Sequence, residues 1–252
     1  MTDTKIDAAP NSALDEAIVR TSQATRAKRR QQGEAHRREV ALDSHADVPT
    51  LDRRADPMAL LTEQDASRLA ELVPIRHGRM SATAFTFYRG AAAVMASDLS
   101  LLPRTTLQVQ LCGDAHLSNF GVYNGPDRRL VFDLNDFDET LPGPFDWDVK
   151  RLAASVVVAA RNNGISDRKG ELAARAAVAG YRRGINEIAG LDPLAVRYHR
   201  IEFEARVAQL DKTARERSES AAAKARTRNS LRAIDRRTVA LDAVLRSVDD
   251  PQ

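Results

Sequence analysis

Apolar residues recur at helical spacing over much of this chain, and at strand spacing in one short central region. Phe85, Tyr88, Ala92 and Met95 fall on one face of a helix over Ala84–Asp98, and Leu152, Ala153, Val156, Val157 and Ala160 do the same over Phe145–Asn162. Gly164 is a fitting cap for the second of these, and Ser166–Ala189 reads as the next helix. Glu63–Val73 reads as a shorter helix with Leu69, Leu72 and Val73 inward and Pro74 as its stop. Thr106–Leu111, Asn119–Tyr123 and Arg129–Asp133 alternate or carry branched side chains, as strands do. Asn124-Gly125 followed by Pro126-Asp127 lies between the last two, which predicts a hairpin with Asn119 where it begins and Asp133 where it finishes. Leu141-Pro142-Gly143-Pro144 reads as a tight loop. From Leu194 to Val248 there is neither Pro nor Gly, and alanine alternates with charged residues, so one or two long surface helices are expected. The pattern is that of an α+β chain, mostly helical, with a small β-hairpin.

Three segments follow from this pattern: a polar basic arm over residues 1–50, a compact core over 51–192, and a charged helical region over 193–252. In the arm Ser12 can cap a helix striped by Leu14, Ile18 and Val19, and Arg26-Ala27-Lys28-Arg29-Arg30 follows. Such a run is commonly a solvated helix or tail; its sharper reading is an arm that contacts phosphates. No aromatic residue interleaves with these basics, so bases have nothing to stack on. Hydrophobic residues make up 43% of the 252-residue chain, enough for one substantial core. No apolar run approaches the roughly 18–20 residues a membrane span needs, and the polar N-terminus lacks a secretory h-region. A single cysteine forms no internal disulfide, so a cytoplasmic setting is expected. A net charge of +3 is too small to name a partner by itself.

The candidate chemistry is concentrated in Cys112-Gly113-Asp114-Ala115-His116-Leu117-Ser118-Asn119 and in Val131-Phe132-Asp133-Leu134-Asn135-Asp136-Phe137-Asp138-Glu139. Phosphoryl transfer to a hydroxyl needs an oxygen base and oxygen ligands for Mg²⁺. Asp114, on a loop after a strand, can take the acceptor's proton; its plainer alternative is a turn former. Asn119 offers a neutral carbonyl oxygen to a hard cation, or is itself a turn residue. The crowding of Asp133, Asp136, Asp138 and Glu139 is costly without a cation, unless the segment is simply a solvated acidic turn. Asp133 ranks first as a metal ligand because it finishes an apolar strand, and Asp136 second. His116, with no partner histidine or cysteine nearby, is expected to support the loop rather than bind zinc. Asp148, at a helix start, is expected to brace the loop from behind. Arg89 is expected to contact a phosphate or a carboxylate of the cluster.

These residues resemble an uncharacterised bacterial family, domain of unknown function 2252, from about Gly33 to about Ser230. The motifs that carry it are Leu72–Met80, Phe87–Ala92, Cys112–His116 with Asn119-Phe120-Gly121, Phe132–Thr140 and Asp146–Leu152. Ser81-Ala82-Thr83-Ala84-Phe85 departs from a Ser-Pro more usual there, which is expected to weaken only the cap of the following helix. At longer range the chain resembles aminoglycoside and choline kinase-like phosphotransferases. That likeness implies a fold like the C-terminal lobe of a protein kinase, ATP and Mg²⁺ as cofactors, Asp114 as base, Asn119 and Asp133 as Mg²⁺ ligands, and Asp148 as a brace. It leaves the hydroxyl acceptor open. No Gly-x-Gly-x-x-Gly loop, no Walker-type run and no evident nucleotide-gripping lysine is present. Members of the bacterial family usually run longer, so the 193–252 region is expected to be truncated before a glycine-rich lobe. Two other readings stand beside a phosphotransferase core: a non-catalytic interaction module, and a nucleic-acid binder acting through the basic arm.

Overall fold

A computed structural model describes residues 26–125, 127–208, 210–226, 238–241 and 244–247. The helix expected around Ser12 lies outside the described residues. Contacts divide the chain into two compact units, residues 1–117 with 136–182, and residues 118–135 with 183–252.

The first unit is mostly helical. Its order is α1 (Arg26–Glu39), α2 (Pro57–Asp65), α3 (Val73–Met80), α4 (Ala84–Gly90), α5 (Ala92–Ser100), β1 (Gln108–Leu111), β4 (Leu141–Pro144), α6 (Asp146–Asn162) and most of α7 (Asp167–Ile188). Asp56 caps α2 by accepting the Met58 amide at 3.1 Å, with Pro57 in the first turn. Leu61, Met80, Ala91 and Val94 form a buried cluster. Arg54 grips Asp98 through Nε (2.8 Å) and Nη2 (2.7 Å), which ties the segment before α2 to α5.

Four expectations change here. The Glu63–Val73 helix is not formed; α2 closes at Asp65, and Pro74 opens α3 instead of stopping a helix, because the first turn needs no proline N–H. Leu69 and Leu72 are exposed. The Ala84–Asp98 helix is two helices, α4 and α5, broken at Ala91, whose backbone (φ −115°, ψ 42°) leaves the helical region. The cap of α4 is not weak: Thr83 Oγ1 accepts the Thr86 amide (3.1 Å) and Thr86 Oγ1 accepts the Thr83 amide (2.8 Å), a reciprocal capping box. Lastly, Leu141–Pro144 is strand β4, not a loop. It pairs antiparallel with β1, Gln108 opposite Pro144 and Gln110 opposite Pro142, and a two-stranded ladder gives proline an outer edge where no donor is required.

The second unit is built on the predicted hairpin. Strands β2 (Phe120–Asn124) and β3 (Leu130–Leu134) pair with Phe120 opposite Leu134 and Asn124 opposite Leu130. Gly125 N donates to Arg129 O (2.8 Å) across the turn, and Arg128 sits at φ 62°. After α8 (Pro193–Tyr198), α9 (Phe203–Val207) and α10 (Lys212–Arg226) cover the hairpin. Leu130, Phe203, Val207, Ala222 and Ala225 are buried together, with Val122 against them. Beyond α10 the described residues are two paired strands, β5 (Thr238–Leu241) and β6 (Val244–Ser247). Among the described residues, the region expected as one or two long helices is therefore three helices and a strand pair. Among the described residues no helix is long and apolar enough to cross a membrane. The fold is α+β and mostly helical, with two-stranded sheets only among the described residues.

Candidate functional site

The loop after β1 is held by one face of α6. Asp148, Arg151 and Ser155 are three and four residues apart, so they project from the same side of that helix. Asp148 accepts the amides of Cys112 (2.7 Å) and Gly113 (3.1 Å). Arg151 Nε donates to Asp114 Oδ1 at 2.6 Å, and its Nη2 reaches the same oxygen at 2.5 Å. Ser155 Oγ accepts the Leu117 amide (2.9 Å) and donates to the Leu152 carbonyl (2.7 Å). Three side chains on successive turns thus fix the loop from Cys112 to Leu117. Gly113 completes the fixing. Its φ is +81°, and a Cβ there would stand 1.8 Å from the Glu139 carbonyl oxygen, so only glycine fits.

Arg151 is the residue that the sequence reading missed. It is 3% exposed, and the Asp114 side chain 21%. Its Nη2 also donates to the Tyr88 carbonyl (3.0 Å), and its guanidinium lies 4.6 Å from the centre of the Tyr88 ring. Tyr88 returns a hydrogen bond to the Arg151 carbonyl (2.8 Å), and burial pushes its phenol up to about 12. The signal in the sequence was an arginine three residues after Asp148, on a helix whose apolar residues already marked an inward face.

Burial also displaces the titration of Asp148, Cys112 and His116. Asp148 is pushed up by desolvation, against its two amide hydrogen bonds. The Cys112 thiol is also pushed up by burial, and it donates to the Asp136 carbonyl at 3.4 Å. His116 is buried, and desolvation is the largest influence holding it below its ordinary value. Its Nε2 lies 3.6 Å from Asp114 Oδ2, and its amide donates to the Asp114 carbonyl (2.8 Å). The ring therefore sits against Asp114 beyond hydrogen-bond range. Arg89 is exposed, and its charge is among those that lower His116.

Asp114 opens onto a cleft of about 320 Å³ lined also by Ser67, Arg68, Asp136, Asp138 and Glu139. Asp136 Oδ1 accepts the Asp138 amide (3.0 Å), which curls the acidic segment into a turn of its own. A larger groove, near 630 Å³, runs along Asp47–Thr50 and Leu101–Pro103 and is lined by none of the predicted site residues. The cleft's carboxylates are the hard oxygen donors that Mg²⁺ takes, one or two at a time beside water and phosphate oxygens. Among the described residues no three His, Cys, Asp or Glu side chains gather into a group that could hold a metal ion.

Asn119 and Asp133 belong to the second unit. Asn119 is buried at the foot of β2, and its carbonyl accepts the Asn135 amide (2.9 Å). Asp133 is exposed on β3, directly opposite Gly121, and its Oδ1 accepts the Leu134 amide at 2.8 Å. The absent side chain of Gly121 leaves space that the Asn135 amide occupies.

No curated protein and no solved structure matches this chain. The profile of a family described as "Uncharacterized protein conserved in bacteria (DUF2252)" matches residues 68–252, a span that holds the whole fixed loop, the four acids of the cleft and the hairpin. The chain belongs to that family.

Proposed function

We propose that the chain is the core of a kinase-like phosphotransferase that moves a phosphoryl group from ATP to a hydroxyl, with Mg²⁺. The observation that carries this reading is the fixing of Asp114 by α6. A loop held at Cys112, Gly113, Asp114 and Leu117 by Asp148, Arg151 and Ser155 presents one carboxylate to an acidic cleft in a single orientation. Preorganisation of that kind is what proton transfer from a bound hydroxyl requires. Asp114 orients the acceptor and takes its proton, and His116, kept neutral by burial, flanks it without competing as a cation. Mg²⁺, when bound, would offset the charge of the phosphate oxygens. Asp136 is the carboxylate of the cleft that this reading assigns to the ion. The resemblance adds Asn119 and Asp133 as ligands, and the mostly helical α+β fold with a hairpin after the loop supports kinship with a kinase C-terminal lobe.

Calorimetric titration of ATP with and without Mg²⁺ tests the reading, together with ADP release. Heat that needs Mg²⁺, and ADP release that falls at least about a hundredfold in Asp114→Asn with ATP binding retained, is the expected result. Equal and negligible heats in both titrations would remove it.

A further inference from the structure

We propose that α1 is an arm that binds the phosphate backbone of double-stranded nucleic acid without reading its sequence. The helix carries Arg26, Lys28, Arg29, Arg30, Arg37 and Arg38 against Glu34 and Glu39. That composition does not serve the helix. Its first turn holds cations and no acid, at the end where the helix dipole disfavours positive charge. None of its residues from 27 to 39 is buried, and Lys28, Arg29, Arg30, Arg37 and Arg38 are all exposed. Its hold on the unit is polar and local: Thr106 Oγ1 donates to Glu39 (2.8 Å) and lies 2.5 Å from His36 Nδ1. A helix that is polar all round gains little from packing.

Gly33 adds a second observation. A glycine in mid-helix costs about 1 kcal/mol relative to alanine, yet a Cβ at Gly33 would meet nothing within 4 Å. Packing among the described residues gives no reason for it, and the open face leaves the backbone within reach of an outside surface. Arg30 pairs with Glu34 at 3.4 Å, a contact that is exposed and easily exchanged.

The charges select the partner. Five of the six cations are arginine, whose fork matches phosphate oxygens. The helix has no aromatic residue on which single-stranded bases could stack, and no apolar face with which to lie in a lipid surface. Its 14 residues span about 21 Å, a length over which a duplex presents many phosphates. This inference is independent of the phosphotransferase reading, since the described lining of the Asp114 cleft comes from outside α1.

The test is fluorescence anisotropy of the full chain with a labelled random duplex of about 20 base pairs at about 50 and about 200 mM salt, beside a single strand of the same length and anionic phosphatidylserine vesicles. With about four phosphates neutralised, duplex affinity is expected to drop about a hundredfold over that range. Arg37→Glu/Arg38→Glu is expected to bind at least about tenfold more weakly and to flatten the salt slope by about 2. Arg30→Glu, on another turn, is expected to weaken binding in the same sense. The exposed positions let both variants keep the parent's melting temperature. Absence of duplex binding at low salt, parental affinity in both variants, or preference for the single strand or the vesicles overturns the proposal.

Discussion

Asp114 and Asp133 are both acids at strand-adjacent positions, both proposed for the same chemistry, and they are held in opposite ways. Asp114 has a buried guanidinium on one oxygen, an imidazole beside the other, and amides fixed on either side of it by Asp148 and Ser155. Asp133 is exposed, and the hydrogen bond it is seen to accept comes from the next residue's own amide. The first acid is placed by a helix far away in sequence, the second by its own strand. A carboxylate placed by distant side chains depends on them for its geometry, and they depend on it for their solvation. A carboxylate placed by its own strand can be changed with little consequence for the fold, so any consequence for activity is easier to read.

The largest expected effect breaks the Asp114 side of this contrast. Replacing Arg151 by methionine keeps much of the side chain's bulk but takes the guanidinium away from Asp114 and leaves the Tyr88 carbonyl with the Ala91 amide as its remaining backbone donor. Removing one partner of a buried ion pair typically costs about 3–5 kcal/mol, and the partial exposure of Asp114 points to the lower figure. Denaturant unfolding of Arg151→Met should therefore show a loss of about 3 kcal/mol. The double variant Arg151→Met/Asp114→Asn should recover part of it, because a neutral amide does not need the guanidinium. Additive losses in the two single variants would mean that the pair is not coupled, and the contrast with Asp133 would fail.

How far this arrangement could be read from the sequence depends on which interaction made it. Helix α6 and the β2–β3 hairpin followed from apolar spacing and turn residues, because burial of one face imposes those periods directly. The Gly-Asp loop and its bracing aspartate were recognisable from residue types. Arg151 was not, since spacing marks a helix's inward face through its apolar members and says little about a charge buried among them. Strand β4 was hidden by its prolines, which signal a loop until a partner strand is known. The break at Ala91 was hidden for the opposite reason: Ala84–Asp98 keeps a helical period across it, and only the backbone geometry of Ala91 shows that the chain restarts. Pro74 carries the same lesson at a helix start, where one residue type can close an element or open it.

A smaller effect sharpens the contrast through pH. Burial holds the His116 imidazole below its ordinary value of 6.5, so as pH falls the unfolded chain takes up a proton there before the folded chain does. Stability from this group is fully present above about 6.5 and is lost as pH falls from there towards the lowered folded value. Asp148, held above its ordinary value, acts in the opposite sense at more acidic pH. Both proteins in the comparison retain it, so its contribution cancels. Melting temperatures of the parent and His116→Asn across pH 8 to 5 should therefore diverge. The parent is expected to lose more on acidification, and equal slopes would show that the ring beside Asp114 is not a buried neutral group.

The smallest expected effect on stability lies at Asp133, and it carries the most weight for function. Asp133→Asn keeps an acceptor oxygen for the Leu134 amide, removes one charge from an exposed strand, and disturbs no buried contact. Exposed substitutions of this kind usually stay within about 0.5 kcal/mol, so the melting temperature should hardly move. A loss of Mg²⁺-dependent ATP binding in a protein that melts like its parent would then have one reading, a lost metal oxygen. Retained binding would separate the two acids for good: Asp114 as the group the fold is built to present, and Asp133 as a surface charge on the hairpin. Running Asp136→Asn beside it distinguishes the ligands, because Asp136 accepts the Asp138 amide of its own turn and lines the cleft that Asp114 faces. A chain in which Asp136→Asn abolishes the Mg²⁺ response and Asp133→Asn does not would place the ion in the first unit, with the helix-held carboxylate as its neighbour.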